Sequence, residues 1–186
     1  MARALTLTPS YEDRLVAGYA ALAIVIHVLE AGFPSLIPGI KPGLANAVTL
    51  IVLLRHGLKL AIWVGLLRVL VGSLLVGSFL APGFWLSLSG AVASLAMLAV
   101  GTVWNRALPP LRLSAIGLSV LAALAHMAGQ FAVAYGVFIA HPGLLHLLPV
   151  LMSAALLFGL ATGWVAQRIL TTMALDSPRP PSILPP

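Results

Sequence analysis

From residue 15 to residue 170 the chain is a succession of apolar runs. Each is closed by a short break: Phe33-Pro34, Arg55-His56-Gly57, Ala81-Pro82-Gly83, Asn105-Arg106 with Pro109-Pro110, and His141-Pro142-Gly143. Runs of this kind match a hydrocarbon layer ~30 Å thick rather than the core of a soluble domain. Of the 186 residues, 61% are hydrophobic and 8% charged. A soluble domain usually carries about 25% charged residues, so this chain cannot furnish a water-facing shell. The sequence predicts an all-α integral membrane protein with six transmembrane helices, at residues 15–32, 42–54, 58–80, 84–104, 113–140 and 144–170. A membrane domain over 15–170 then lies between an N-terminal segment, 1–14, and a Pro-rich tail, 171–186, expected to be disordered. The second run is short for a straight crossing, leaving a tilted or re-entrant course open. Residues 15–30 lead into Phe33-Pro34 rather than a small-x-small cleavage site, so a span is expected there and not a cleaved leader.

Charge sets the expected orientation. With the N-terminus inside, Arg3, Arg14, Arg55, Lys59, Arg106, Arg112, Arg168 and Arg179 fall on the cytoplasmic side and Lys41 on the other, while Arg68 lies within the third run. That asymmetry follows the positive-inside rule and puts both termini in the cytoplasm of a multi-pass protein of the cell's inner membrane. The net charge of +6 is spread singly over run ends, which is a topology signal and not a nucleic-acid patch. With no cysteine, disulfides and thiolate metal sites are excluded. His141 and His146 are five apart without a third ligand, a poor basis for a metal site. No cofactor is expected.

Ionisable groups inside the bilayer cost at least ~2.5–3.5 kcal/mol each and so mark function by default. Arg68 shares a helical face with Ala61, Gly65 and Gly72, small residues suited to packing inward. Glu30 shares a face with Ala23 and His27; His126 and Gln130 are i, i+4 neighbours between Ala122 and Ala134. Ser87, Gly90, Ala91 and Ser94 form a small, weakly polar stripe, and Asn46 opens the second helix. With the topology imposed, Glu30, Lys41, Asn46, Ser87 and Gln130 map to the outer half and Arg68 and His126 near the middle. These seven residues are the predicted substrate site, a pocket opening outward. Structural alternatives stand beside it. Arg68 paired with Glu30 would brace the bundle, and Lys41 would snorkel to headgroups. His27, Ser87 and Ser94 would simply pack, and His126 with Gln130 would form an interhelical hydrogen bond.

The stretches GIKPGLANAVTL, LLRVLVGSLLVG with its arginine, FWLSLSGAVASLAM and AHMAGQ, in that order, resemble motifs of the family known as heptaprenyl diphosphate synthase component I, or Gx transporter family. That family groups with the substrate-binding S components of energy-coupling factor (ECF) vitamin transporters. The likeness covers residues 15–170. It departs at Pro42, where the family has an aliphatic residue, and at Met127, where it has asparagine. The resemblance implies an S-component-like bundle with a ligand held near the outer surface, under the loop after the first helix. It also implies a first helix whose small residues dock on a membrane scaffold subunit working with cytoplasmic ATPases. Ala17 and Ala21 are available for that docking, well over 90° around the helix from the Glu30 face; ordinary packing is the alternative.

Prenyl transfer from a diphosphate needs Mg²⁺ held by clustered carboxylates. The four acids here are Glu12, Asp13, Glu30 and Asp176, with no aspartate-rich cluster. The chain is therefore not expected to be an enzyme. It also lacks a phosphate loop of the G-x-x-x-x-G-K-[ST] type, so any uphill transport needs partners. The expected function is capture of a small anionic or amphiphilic solute, vitamin-like or isoprenoid-linked, for an energy-coupled importer. The alternatives are a non-catalytic membrane accessory subunit of a polyprenyl diphosphate synthase and a stand-alone facilitator.

Overall fold

The computed structural model describes residues 8–32 and 43–175, which form six α-helices with no strand among them. They are α1 (Tyr11–Gly32), α2 (Leu44–His56), α3 (Leu58–Val76), α4 (Pro82–Ala107), α5 (Ala115–Val133) and α6 (Leu148–Leu175). All but α2 are long and apolar enough to cross a membrane.

Local chemistry accounts for where the helices differ from the expected runs. α1 begins at Tyr11, ahead of residue 15, because Ser10 and Asp13 cap it reciprocally. The Asp13 amide donates to Ser10 Oγ at 3.1 Å and the Ser10 amide to Asp13 Oδ2 at 2.9 Å. α3 stops at Val76, short of residue 80, because Gly77 takes a left-handed conformation (φ 75°) and the Ser78 amide reaches back to the Ser73 carbonyl at 2.9 Å. Pro82 then occupies the first turn of α4, where its missing N–H is no loss. The fifth run is α-helical only to Val133 and continues as a π-helical turn, Ala134–Phe138. The sixth starts with a 3₁₀ segment, Pro142–Leu147, and its α-helix reaches Leu175, five residues into what was expected to be tail. Residues 176–186 lie outside the described residues.

The largest difference concerns α2. Its 13 residues extend about 20 Å at 1.5 Å per residue, too little to cross the hydrocarbon layer alone. Ala45 and the whole stretch 47–53 are buried, and the helix touches α1, α3, α5 and α6. It is a core helix, apolar all round because it is surrounded by protein. The long helices follow one another in the spatial order α1, α3, α4, α5, α6, and α2 closes this arc by touching both of its ends.

α2 and α3 are joined by Gly57 alone, with φ 91° and ψ 176°. That region of backbone space is essentially restricted to glycine. Gly57→Ala is expected to lose about 1–3 kcal/mol of stability, although open space surrounds the position where a Cβ would sit. A thermal-unfolding comparison in detergent checks this.

The α5–α6 seam is built on glycine. A Cβ at Gly163 would lie 2.8 Å from the Ile116 Cα, and one at Gly159 would lie 3.0 Å from the Val120 Cα. This Gly-x-x-x-Gly surface brings the two backbones together. Between them the Ser119 and Thr162 hydroxyls form a buried hydrogen bond of 3.0 Å.

Polarity is inverted relative to a water-soluble fold. Leu22, Val25, Leu29, Leu74, Leu75, Val92, Val100, Leu157 and all four tryptophans are exposed, while Glu30, Thr49, Arg68, Ser73, Ser94, Ser119 and Thr162 are buried. Such an exterior is at home among lipid chains, and the protein is a multi-pass membrane protein. Three contacts gather the same end of the bundle. Lys59 Nζ pairs with Glu12 at 2.8 Å, His56 meets the Tyr19 hydroxyl at 3.2 Å, and Arg55 Nη1 donates to Met173 Sδ at 2.7 Å. Arg106, Arg112 and Arg168 also belong to this basic end.

Candidate ligand-binding cavity

A cavity of about 260 Å³ lies inside the bundle. All six helices line it: His27 and Glu30 from α1, Asn46 and Thr49 from α2, Arg68 and Val69 from α3, and Ser87 and Ser94 from α4. α5 supplies Ser119, Ala122, His126, Met127 and Gln130, and α6 supplies Ala155, Phe158 and Thr162. Glu30, Asn46, Arg68, Ser87, His126 and Gln130, predicted from helical phase, therefore meet around one space. Lys41 lies outside the described residues.

Each side chain is delivered by a local pattern. α3 buries Leu60, Ala61, Val64, Gly65, Arg68, Val69, Gly72 and Ser73, a stripe of three- and four-residue spacing that turns Arg68 inward. Arg68 is 5% exposed. Small residues make room on both sides of the cavity. A Cβ at Gly72 would lie 2.7 Å from His27 Cδ2, and one at Gly90 would lie 2.7 Å from His126 Nε2 and 2.8 Å from Gln130 Cγ. His27 thus packs against α3, as its structural alternative held, while also reaching the cavity wall.

Glu30 does not clamp Arg68. Among the described residues the one ion pair within 4.0 Å is Lys59–Glu12. Glu30 Oε1 instead accepts the Leu44 amide at 2.6 Å, capping the first turn of α2 from the neighbouring α1, next to Gly43 with its φ of 70°. The carboxylate therefore ties the first turn of α2 to the last turns of α1. Its own position on the cavity wall follows from that anchor.

Three buried side-chain atoms have no hydrogen-bond partner among the described residues: Thr49 Oγ1, Arg68 Nε and His126 Nδ1. All three belong to residues that line this cavity. Buried polar groups are normally satisfied, because stripping water from them without a replacement costs free energy. Their concentration here gives the cavity unmet donors and acceptors on three helices, one of them on a guanidinium.

The cavity extends beyond the residues that phase suggested. Along α5 it extends from Gln130 to Ser119, eleven residues or roughly 16 Å. Thr49, Ser119, Phe158 and Thr162 were not anticipated. Two of them were within reach of the same reasoning: Thr49 follows Asn46 by one turn, and Ser119 precedes His126 by two. Thr162 had no such marker, since the one ionisable residue of α6, Arg168, is exposed on another face of the helix.

Elsewhere, Ala17 and Ala21 are exposed on the outer side of α1, while Ala20 and Ala23 are buried. His141 Nδ1 accepts the Gly143 amide at 3.0 Å, and no group of three potential metal ligands occurs among the described residues.

Fold and cavity together define a class: a polytopic helical membrane protein whose helices gather buried polar side chains around an internal cavity. Within that class, the family model for heptaprenyl diphosphate synthase component I matches residues 19–169. The chain belongs to that family. The matched region contains every residue named above as lining the cavity. No match was found among curated proteins or among solved structures.

Proposed function

We propose that the protein is a substrate-binding membrane subunit, S-component-like, of an energy-coupled importer. In this reading it takes up a small anionic or amphiphilic solute from the outer side through the cavity around Arg68. The observation that carries the proposal is Arg68 itself: a buried guanidinium with an unpartnered Nε on the wall of an internal cavity. An anionic ligand supplies what the site lacks, a charged acceptor in a region of low dielectric. Glu30 does not supply that acceptor as a contact ion pair: its Oε1 is held by the Leu44 amide, and it forms no salt bridge with Arg68 within 4.0 Å. Asn46, Ser87, His126 and Gln130 provide the remaining donors and acceptors, and Lys41 stands two residues before Gly43 in the sequence. Apolar wall from Val69, Met127 and Phe158 suits the non-polar part of such a solute.

Size narrows the choice. A volume of about 260 Å³ falls just below the ~300–1,000 Å³ usual for drug-sized ligands. That favours a compact vitamin-like compound or a short isoprenoid-linked one over a seven-unit prenyl chain. Energy would come from partners, a membrane scaffold subunit and cytoplasmic ATPases, with the exposed Ala17 and Ala21 on α1 offered to the scaffold.

Native mass spectrometry of protein purified gently from its host tests the proposal. A retained small anion of defined mass is expected, displaced as the detergent is made harsher. A cavity that is empty in every preparation, with no solute taken up from host extract, would overturn it. The second reading, a non-catalytic accessory subunit of a polyprenyl diphosphate synthase, is favoured by the description of the family. Pull-down from mild detergent separates the two. A scaffold with ATPases supports import, and a prenyl synthase without ATPases supports the accessory role.

A further inference from the structure

At the basic end a second cavity, of about 220 Å³, opens between α2, α4 and α5. It is lined by Leu53, Leu54, Thr102, Asn105, Arg106, Arg112 and Leu118. The two arginines are brought together by the turn between α4 and α5. Asn105 Oδ1 accepts the Leu113 amide at 2.7 Å, its Nδ2 donates to the Leu113 carbonyl at 3.1 Å, and Arg112 Nε donates to the Asn105 carbonyl at 3.3 Å. That clamp uses Nε of Arg112, and Arg112 and Arg106 line the same cavity.

Other cations of this end have identifiable engagements. Lys59 is paired with Glu12, Arg55 donates to the Met173 sulfur, and Arg168 lies 5.3 Å over the Trp164 ring. Arg106 and Arg112 have no carboxylate within 4.0 Å among the described residues. Two guanidiniums sharing a concave site suit a phosphate group, which accepts their forked donors. The surroundings favour a phosphate carried on a lipid. Leu54, Val103 and Leu111 are exposed beside the site, and Trp104, also exposed, fixes the level of the interface by donating its indole N–H to the Leu111 carbonyl at 3.0 Å.

We propose that Arg106 and Arg112 form a site for the phosphate headgroup of an anionic phospholipid in the leaflet at the basic end, with the acyl chains lying along the apolar surface beside Leu54 and Val103. The geometry is that of a basic pocket between transmembrane helices at the membrane surface. It is independent of whether the first cavity holds an imported solute.

The test uses the full chain in mild detergent, titrated with phosphatidylglycerol, phosphatidylcholine or inorganic phosphate and read by native mass spectrometry. One phosphatidylglycerol should be retained in preference to phosphatidylcholine. The double variant Arg106→Ala/Arg112→Ala should lose roughly tenfold to thirtyfold in that retention. Arg106→Lys/Arg112→Lys should keep most of it, and Arg55→Ala should change nothing. Four results would overturn the proposal: equal retention of the two lipids, undiminished phosphatidylglycerol binding in the double alanine variant, equal loss in Arg55→Ala, or displacement of the lipid by millimolar inorganic phosphate. If the alanine pair instead abolished capture of a soluble protein partner without altering lipid retention, the arginines would belong to a protein interface and the lipid site would be refuted.

Discussion

Arg68→Met is expected to yield a protein that melts at or above the parent's temperature and carries no anionic solute through purification. The two halves of this expectation have separate causes. Arg68 is buried with an unpartnered Nε and no carboxylate within 4.0 Å, so the folded state bears a desolvation cost that its surroundings do not fully offset. Methionine is close in length, apolar and adaptable, and fills the same space without that cost. Replacing buried charge by well-packed apolar groups is often neutral or stabilising, by about 1–4 kcal/mol. A solute anion, however, would lose its charged donor. Hydrogen bonds to charged groups are worth about 1.5–3 kcal/mol, so retention should fall by roughly tenfold to more than a hundredfold. Thermal unfolding and native mass spectrometry on one preparation read both outcomes. A variant that aggregates while the parent is stable would make Arg68 a structural strut. A variant that keeps the solute would move the binding site elsewhere.

Gly163→Leu is expected to force apart the α5–α6 seam. The added Cβ would meet the Ile116 Cα at 2.8 Å and the Ser119 Cβ at 2.8 Å, and neither can swing aside as the end of a long side chain does. α5 and α6 would have to separate, stretching the buried Ser119–Thr162 hydrogen bond. Overpacking of this kind typically costs about 1–3 kcal/mol, and loss of the hydroxyl pair adds about 1 kcal/mol. A fall of several degrees in unfolding temperature, with a broadened gel-filtration peak, is the expected observation. Gly136→Leu is the control. It sits in the π-helical turn with nothing within 4 Å of the added atom and should leave stability unchanged. Equal behaviour of the two variants would mean that the α5–α6 approach is looser than described.

Helix phase was the part of this architecture most open to reading from sequence. Small residues at three- and four-residue spacing around Arg68, His126 and Gln130 identify an inward face before any neighbour is known. Faces identified in this way from separate helices meet at one cavity. Phase says little about who the neighbour is. It left Arg68 free to pair with Glu30, whereas the carboxylate is drawn to an amide fourteen residues along the chain, a backbone partner that helical phase does not mark. The same limit applies to α2. Thirteen apolar residues look alike whether lipid or protein surrounds them, so a buried central helix passed for a short span. Boundaries slipped where punctuation has two meanings. Pro82 reads as a breaker but opens α4, and Gly77, within an otherwise apolar run, ends α3. The role of the cavity residues in binding is a proposal that rests on chemistry and not on spacing.

The central position of α2 also bears on biogenesis. A nascent chain delivers α2 second, yet two of the helices that enclose it, α5 and α6, leave the ribosome last. Too short to partition into the bilayer unaided, it must enter as a hairpin with α1 or α3 and wait half-sheltered until synthesis is nearly complete. Truncation before α5 should therefore leave an intermediate prone to capture by insertases and quality-control proteases, even though α1, α3 and α4 are each long enough to be integrated.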